Sequence, residues 1–304
     1  MKYTFLVFIL FYASLLKAVD TPDKIIAFAQ DDMSNDFRKA QVFDVRDHLL
    51  KYPAIQFTYS DAQGQTSLLI KQIEQFIQQK VDVLVIGTND ENAVVPVVTQ
   101  AYQAGIPTII LDRGINSENY TSFINTNNMQ IGVIAAQYLA KQLKGKGTVL
   151  LFEGLPHADV TKLRTKGFLK TIKKYKNISV ITRTGNFLRR DALLEMEKII
   201  QQGIHIDAIF AESDSMLSGV RMVLDKHNIA ADSLIMIGCD YTLEAQQAIR
   251  KGQQSASIFF PLGGKETVAT ALQILANKIV PKHIITNPVK LVTKNNVNKI
   301  KAIF

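Results

Sequence analysis

A single cysteine, Cys239, among 304 residues excludes a framework of internal disulfides. The chain has no glycine-rich phosphate loop, no dinucleotide fingerprint, no H-E-x-x-H and no G-x-S-x-G, so the common signatures of nucleotide, zinc-protease and serine-hydrolase chemistry are missing. Its five histidines (His48, His157, His205, His227 and His283) are widely spaced and form no zinc-ligand pattern. A catalytic thiol needs a base and an electropositive setting. His227 is the nearest histidine to Cys239 in sequence, so this thiol reads as a small buried side chain. No nucleophile–base pair is visible, which points to a protein that is not an enzyme and needs no metal or cofactor. Concentrated charge is scarce as well. Thirty-five Lys and Arg against 27 Asp and Glu give a net charge of +8, but the basic residues are scattered. The densest basic stretch, 162–176, interleaves Phe168, Leu169, Ile172 and Tyr175 at helical spacing; it reads as a solvated helix face, not a nucleic-acid surface.

What is present is an ordinary globular composition, 47% apolar and 20% charged. The length exceeds the usual limit of one hydrophobic core and predicts two domains. Met1-Lys2 is a short basic start, residues 5–16 are almost wholly apolar, and Ser14-Leu15-Leu16-Lys17-Ala18 leads into Asp20-Thr21-Pro22-Asp23. The run is too short for a comfortable membrane span and reads as a secretory signal peptide, 1–18. Leu16 and Lys17 depart from the small residues usual before a cut. Cleavage after Ala18 removes Lys2 and Lys17 and leaves a mature charge of 8 − 2 = +6. No cysteine follows the apolar run, so a lipid anchor is not indicated. An exported chain of this size without disulfides fits the bacterial periplasm.

Apolar runs at 25–29, 81–86, 108–111, 148–152, 179–181, 208–211 and 234–237 read as strands. Between them apolar residues recur at three- and four-residue steps. Leu69, Ile73, Phe76 and Ile77 form one helical face; Ile131, Ile134, Tyr138 and Leu143, with Leu139 alongside, form a rougher one. Strand and helix alternating in this way means βαβ units, and the strand number calls for more than one parallel sheet. Seams fall at Phe123-Ile124-Asn125-Thr126-Asn127-Asn128 and at Phe259-Phe260-Pro261-Leu262-Gly263-Gly264, with a late strand at 289–293. The fold expected is therefore α/β: two Rossmann-like lobes with parallel sheets joined by a multi-strand hinge. Residues 24–124 plus 261–288 form the N-terminal lobe, and 125–260 plus 289–304 the C-terminal lobe. Two such lobes enclose a cleft, a common place for a small-molecule site.

The run Ile109-Ile110-Leu111 ends abruptly in Asp112-Arg113. A buried parallel strand reads as such a run, and ligands of open α/β sheets sit beyond the strands' carboxyl ends. A carboxylate beside a guanidinium offers acceptors and a rigid fork of donors, which suits a polyhydroxylated or anionic molecule. Other polar or aromatic residues follow strand-like runs in the same way: Gln30 to Arg38, Phe187 after Thr184-Gly185-Asn186, Ser213-Asp214, and Asp240. Each alone is ordinary, since Ser34 and Asp214 are good helix caps and Phe37 or Phe187 would suit a core. Together they suggest aromatic walls with charged rims, the way sugars are held.

On Ile109-Ile110-Leu111-Asp112-Arg113, Gly154 through Arg164 to Gly167-Phe168, Phe210-Ala211-Glu212-Ser213-Asp214-Ser215-Met216 and Ile237-Gly238-Cys239-Asp240, the chain resembles the ribose/galactose type of periplasmic sugar-binding protein that feeds ABC importers. The spacing holds over nearly the whole mature chain. The first loop, Phe28-Ala29-Gln30 to Phe37-Arg38-Lys39-Ala40, most resembles galactofuranose-binding members. The resemblance implies stacking walls at Phe37 and Phe187, and contacts to ligand hydroxyls from Asn35 and Arg38. It also implies a grip by Asp112 and Arg113, answered from the other lobe by Arg164 and Asp240. Three positions depart from the family pattern: Ser213 where Asn is common, Phe259 where a polar side chain is common, and Asn127 at the hinge where Asp is usual. The implied partners are a small sugar and the membrane permease of an ABC importer, with the protein a monomer. A periplasmic sensory subunit serving a receptor kinase or chemoreceptor is the alternative. A repressor-type effector domain would need a helix-turn-helix ahead of residue 24, where a signal-like segment stands.

Overall fold

The computed structural model describes residues 24–286 and 289–304; the signal-like segment 1–18 lies outside them. The described residues form two six-stranded sheets, each sandwiched between helices. The first contains β1 (Lys24–Gln30), β2 (Ile55–Asp61), β3 (Val83–Gly87), β4 (Thr108–Leu111), β5 (Ser122–Asn125) and β11 (His283–Ile285), in the order β11-β5-β4-β3-β1-β2. The second contains β6 (Lys146–Glu153), β7 (Asn177–Thr184), β8 (Ala208–Ala211), β9 (Ile235–Asp240), β10 (Ala256–Phe259) and β12 (Lys290–Thr293), in the order β12-β10-β9-β8-β6-β7. All neighbours are parallel except β10 and β12, which run antiparallel. This is the α/β, two-sheet architecture expected from the alternating runs.

Central strands are apolar throughout because both faces are covered. Val83-Leu84-Val85-Ile86-Gly87, Thr108-Ile109-Ile110-Leu111 and Ala208-Ile209-Phe210-Ala211 are buried at every position. Edge strands alternate instead, as β7 does. That is why β2, which is only partly buried and reads Ile-Gln-Phe-Thr-Tyr-Ser-Asp, carries no continuous run and escapes a search for one. The short strands β10 and β11 were also unanticipated. Asp82 falls outside β3 although it lies in the run 81–86: its carboxylate accepts from Ile25 N (2.7 Å) and Lys24 Nζ (2.9 Å) at the foot of the sheet.

In the first half α1 (Asp36–Leu49), α2 (Thr66–Gln78), α3 (Val95–Gln103) and α9 (Gly264–Leu275) cover the sheet. In the second, α4 (Asn128–Gln142), α5 (Asp159–Ile172), α6 (Arg189–Gln201), α7 (Asp214–Lys226) and α8 (Leu243–Lys251) do so. α2 buries Leu69, Ile73 and Phe76 as its periodicity predicts. α4 buries Ile131, Ala135 and Leu139 and leaves Ile134 and Tyr138 only partly covered. In the basic stretch the apolar stripe is narrower than its spacing suggested. Phe168 and Ile172 are buried, Leu169 and Tyr175 are exposed, and Arg164, one turn before Phe168, is buried on the same face. No helix among the described residues is long and apolar enough to cross a membrane.

The chain passes from one sheet to the other between β5 and α4, between β10 and α9, and between β11 and β12. The carboxyl ends of the two sheets face each other. Across the gap Asn35 Nδ2 donates to Phe187 O (3.1 Å), Ser215 Oγ to Asp36 Oδ2 (2.8 Å) and Gly114 N to Asp159 Oδ2 (3.0 Å), and Lys162 pairs with Glu91 (2.6 Å).

Candidate ligand-binding site

β1 and β4 flank β3, and the residues just past their ends define one wall of the gap. Asp112 leaves β4 with a left-handed backbone (φ 70°), donates its N–H to Ile124 O (2.7 Å), and so turns its carboxylate off the sheet edge. Asn35 caps α1, accepting from Arg38 N (3.0 Å), which points the following residues, Phe37 and Arg38, toward that edge.

A buried array of four charges results. Arg113 Nη1 donates to Asp31 Oδ2 (3.0 Å), Arg38 Nε to Asp31 Oδ1 (2.9 Å), and Arg38 Nη1 to Asp112 Oδ2 (2.9 Å). Arg38 completes its fork on Gln41 Oε1 (2.9 Å) and Thr88 O (3.2 Å). Burial pushes the Asp31 carboxyl up, but Arg38 and Arg113 outweigh it and hold it below the ordinary carboxylate range. Burial, aided by Arg38, lowers Arg113 to about 10, which leaves it charged at neutral pH. Two atoms of the array are left over. Asp112 Oδ1 and Arg113 Nε are buried with no protein partner. Both residues border the same cavity, and an acceptor and a donor left free there match hydroxyl groups, which are both.

The facing wall comes from the second half. Arg164, on α5, donates through Nε to Asn128 Oδ1 (2.8 Å) and through Nη1 to Glu212 O (2.6 Å). Its guanidinium lies 4.7 Å from the Phe260 ring centroid and 5.7 Å from that of Phe187, while Arg113 approaches Phe187 to 5.1 Å. Guanidinium groups of opposite halves therefore both approach the Phe187 ring. Its backbone is left-handed (φ 60°), as is that of Asn186 (φ 53°), a conformation that costs about 1–3 kcal/mol for such a residue and persists where surrounding structure imposes it. Leu188 N, bonded to Gly185 O (2.8 Å), and Asn35 Nδ2, bonded to Phe187 O (3.1 Å), hold that turn, and Gly154 makes room for the ring: a Cβ there would lie 1.9 Å from Phe187 Cζ. Asp240 ends β9 with φ 106° and Tyr241 follows with φ 67°, the latter tied by its N–H to Asp214 Oδ2 (2.7 Å). Burial drives the Asp240 carboxyl well above its ordinary value and Asp214 up to about 6.

Glu212 lies buried beside this wall. Thr165 Oγ1 lies 2.8 Å from Glu153 Oε1 and 2.9 Å from Glu212 Oε1, yet a hydroxyl has one proton to give. If Thr165 donates to Glu153, Glu212 must supply the proton of the second bond. Burial raises Glu212 to about 8, in agreement with a neutral acid that donates to Thr165 and accepts from Gly154 N (2.9 Å).

Asn35, Phe37, Asp112 and Arg113 from one half, and Arg164, Phe187, Ser213 and Asp240 from the other, border a single cavity. Val160 and Ser215, which the sequence did not single out, border it too. Three expected residues do not. Arg38 is 1% exposed and spends its fork on the protein, so it holds Asp112 instead of lining the cavity. Asn127 is exposed and caps α4 through Gln130 N (3.0 Å); its neighbour Asn128 is the one that points inward, to Arg164. Phe259 packs with Tyr241, Ile249 and Val292, because alternation along β10 sends it to one face and Phe260 to the other. Phe260 instead packs on Phe37 across the halves, ring centroids 5.2 Å apart. Ser213 borders the cavity, but its Oγ is used as the cap of α7, accepting from Met216 N (3.3 Å). Among the described residues no group of three or more His, Cys, Asp or Glu is arranged to hold a metal ion.

The cavity has about 320 Å³ unfilled by protein atoms, but the centre of a water-sized sphere fits in only about 20 Å³ of it, room for roughly one water. A larger groove of about 530 Å³ also lies between the halves, from α1 to the start of α8, and meets the cavity at Ser215.

A model of the periplasmic binding protein domain matches residues 26–279. The ribose import binding protein of Bacillus subtilis (strain 168) is 32% identical over 237 residues, which cover 77% of this chain and 76% of that protein. An ABC transporter solute-binding protein from Bacillus halodurans C-125 with bound myo-inositol superposes with a TM-score of 0.85 at 26% identity, covering 91% of this chain and 96% of that one. The fructose-binding periplasmic domain of a hybrid two-component system gives 0.83 at 26% identity, with coverage of 90% and 91%.

Proposed function

Since this chain belongs to the periplasmic binding protein domain family, we propose that it captures a small sugar between its two halves and hands it, chemically unchanged, to the membrane permease of an ABC importer. The lobes are 24–124 plus 261–288 and 125–260 plus 289–304, and segment 1–18 is a signal for export to the periplasm. The observation that carries the reading is the pair of unpartnered atoms, Asp112 Oδ1 and Arg113 Nε, buried opposite Arg164 and Asp240 and beside the Phe187 ring. Unpaired buried polar groups cost free energy, and ligand hydroxyls, which donate and accept, satisfy them. Ring faces bury sugar C–H groups, and the guanidinium groups of Arg113 and Arg164, both near the Phe187 ring, help hold that wall in place.

The cavity takes about one water as it stands, so a sugar enters only with the lobes farther apart. Contacts from both lobes then favour the closed form, and a partner reads that form. Similarity to the periplasmic domain of a two-component system favours one second reading, in which a membrane sensor is that partner. Neighbouring genes for a permease and ATPase, or for a kinase, separate the two.

The test is calorimetry against a panel that includes ribose, fructose, galactofuranose and myo-inositol, with the parent and an Asp112→Ala variant. A member of the panel binds the parent, and the variant binds it about 10- to 100-fold more weakly, the scale of a lost hydrogen bond to a charged group. An unresponsive panel, or a variant that binds as well as the parent, overturns the assignment.

A further inference from the structure

The crossing 260–263, between β10 and α9, is tied to the cavity by a chain of side chains that runs through α1. Arg38 Nη1 donates both to Asp112 Oδ2 and to Gln41 Oε1, each at 2.9 Å. Gln41 Nε2 then donates to Leu262 O at 3.1 Å. Gln41 is completely buried. An amide suits the place because it accepts from a guanidinium at one end and donates to a carbonyl at the other. Leu262 O and Gly263 N share one peptide unit. Gly263 has φ +83°, and a Cβ on it would meet Leu111 Cδ1 at 3.0 Å, so the crossing is seated against the residue that precedes Asp112. Asp44 Oδ2 accepts from Gly264 N (2.9 Å), holding the next residue to the same helix.

We propose that Gln41 is a positioning residue that couples the Asp112 carboxylate to the backbone of the 260–263 crossing. Arg38 transmits as a rigid plane because its guanidinium is planar and the bonds to Asp112 and Gln41 leave from the same Nη1. A displaced Asp112 therefore moves the guanidinium as a unit, and Gln41 passes the movement to the Leu262 carbonyl. Occupation of the cavity is then felt at a point where the chain changes sheets. The significance of the coupling rests on the sugar-capture reading above, but its existence does not.

The experiment uses no sugar. Hydrogen exchange at the Gly263 amide is measured in the parent, Asp112→Asn, Gln41→Met and the double variant. In the parent background Asp112→Asn changes the Gly263 exchange rate on the order of 2- to 30-fold, the range for mutations along coupled networks. In the Gln41→Met background the same change has less than about a twofold effect, a non-additivity that a double-mutant cycle isolates. A merely structural Gln41 would shift the baseline rate and Tm while leaving the effect of Asp112→Asn intact. That result, or no effect of Asp112→Asn in the parent, overturns the proposal. Should Gln41→Met fail to fold, Gln41→Asn, one methylene too short to bridge both partners, takes its place with the same two outcomes. A failed relay leaves sugar capture standing, and an unresponsive sugar panel leaves the relay standing.

Discussion

Replacing Arg38 by methionine removes the central cation of the buried array while roughly keeping the length of the side chain. In the parent its guanidinium is 1% exposed and holds Asp31 and Asp112 at 2.9 Å each, with Gln41 and Thr88 O on its other donors. The variant leaves Asp31 with Arg113 as its one remaining cation, and Asp112 Oδ2 joins Oδ1 without a protein partner. Breaking a buried pair by removing one member costs about 3–5 kcal/mol, because an uncompensated charge stays behind. At roughly 2–4 °C per kcal/mol for a chain of this order, Tm falls by roughly 6–20 °C. The pH dependence identifies the cause. In the parent Asp31 is held below its ordinary value of 3.8, so its contribution is complete above that value and is lost only as pH falls through the lower folded one. In the variant burial dominates and the folded state takes up a proton that the unfolded state lacks, so stability rises as pH falls from 7 toward 5. Calorimetry at pH 7, 6 and 5, read as the parent-minus-variant difference, shows the deficit shrinking on acidification. Arg46→Met, which breaks an exposed pair with Asp47, gives a control change of about 1 kcal/mol or less. An Arg38→Met deficit below about 1 kcal/mol, or one independent of pH, refutes the reasoning.

Two further outcomes follow from the second half. Gly154→Ala inserts a methyl into the Phe187 ring, which overpacks the site by about 1–3 kcal/mol and displaces the ring from its contacts with Arg113 and Arg164. Tm drops accordingly, a crystal structure shows the ring moved, and affinity for the parent's sugar falls tenfold or more by calorimetry. Glu212→Gln reproduces the neutral acid, since its amide donates to Thr165 and accepts from Gly154 N. The parent's folded value of about 8 lies above the ordinary 4.5, so between these pH values the fold holds a proton that the unfolded chain has lost, and stability declines as pH rises. The variant's Tm lacks that decline and exceeds the parent's most clearly near pH 8; parallel Tm–pH curves would show that Glu212 is ionised in the fold.

The sequence by itself determined the class of the fold and the places where chemistry gathers. Continuous apolar runs at 83–87, 108–111 and 208–211 have no stable environment except a sheet covered on both faces, and the helical stripes between them supply the covers. A run that ends in Asp112-Arg113 or in Asp240 sets those side chains at a strand's carboxyl end whatever else the chain does. Such signals are local, so they survive without knowledge of neighbours. The tertiary structure alone decided which polar groups remain free for a ligand. Arg38 sits in the right loop, but Asp31, brought beside it by β1, and Asp112, brought by β4, take its donors. Asn127 and Asn128, like Phe259 and Phe260, differ by one position in sequence and by opposite directions in space, because a helix cap or a pleat sends adjacent side chains apart. Composition and spacing specify which residues reach an edge; only long-range partners, which exist once both sheets face each other, specify which of them are already satisfied.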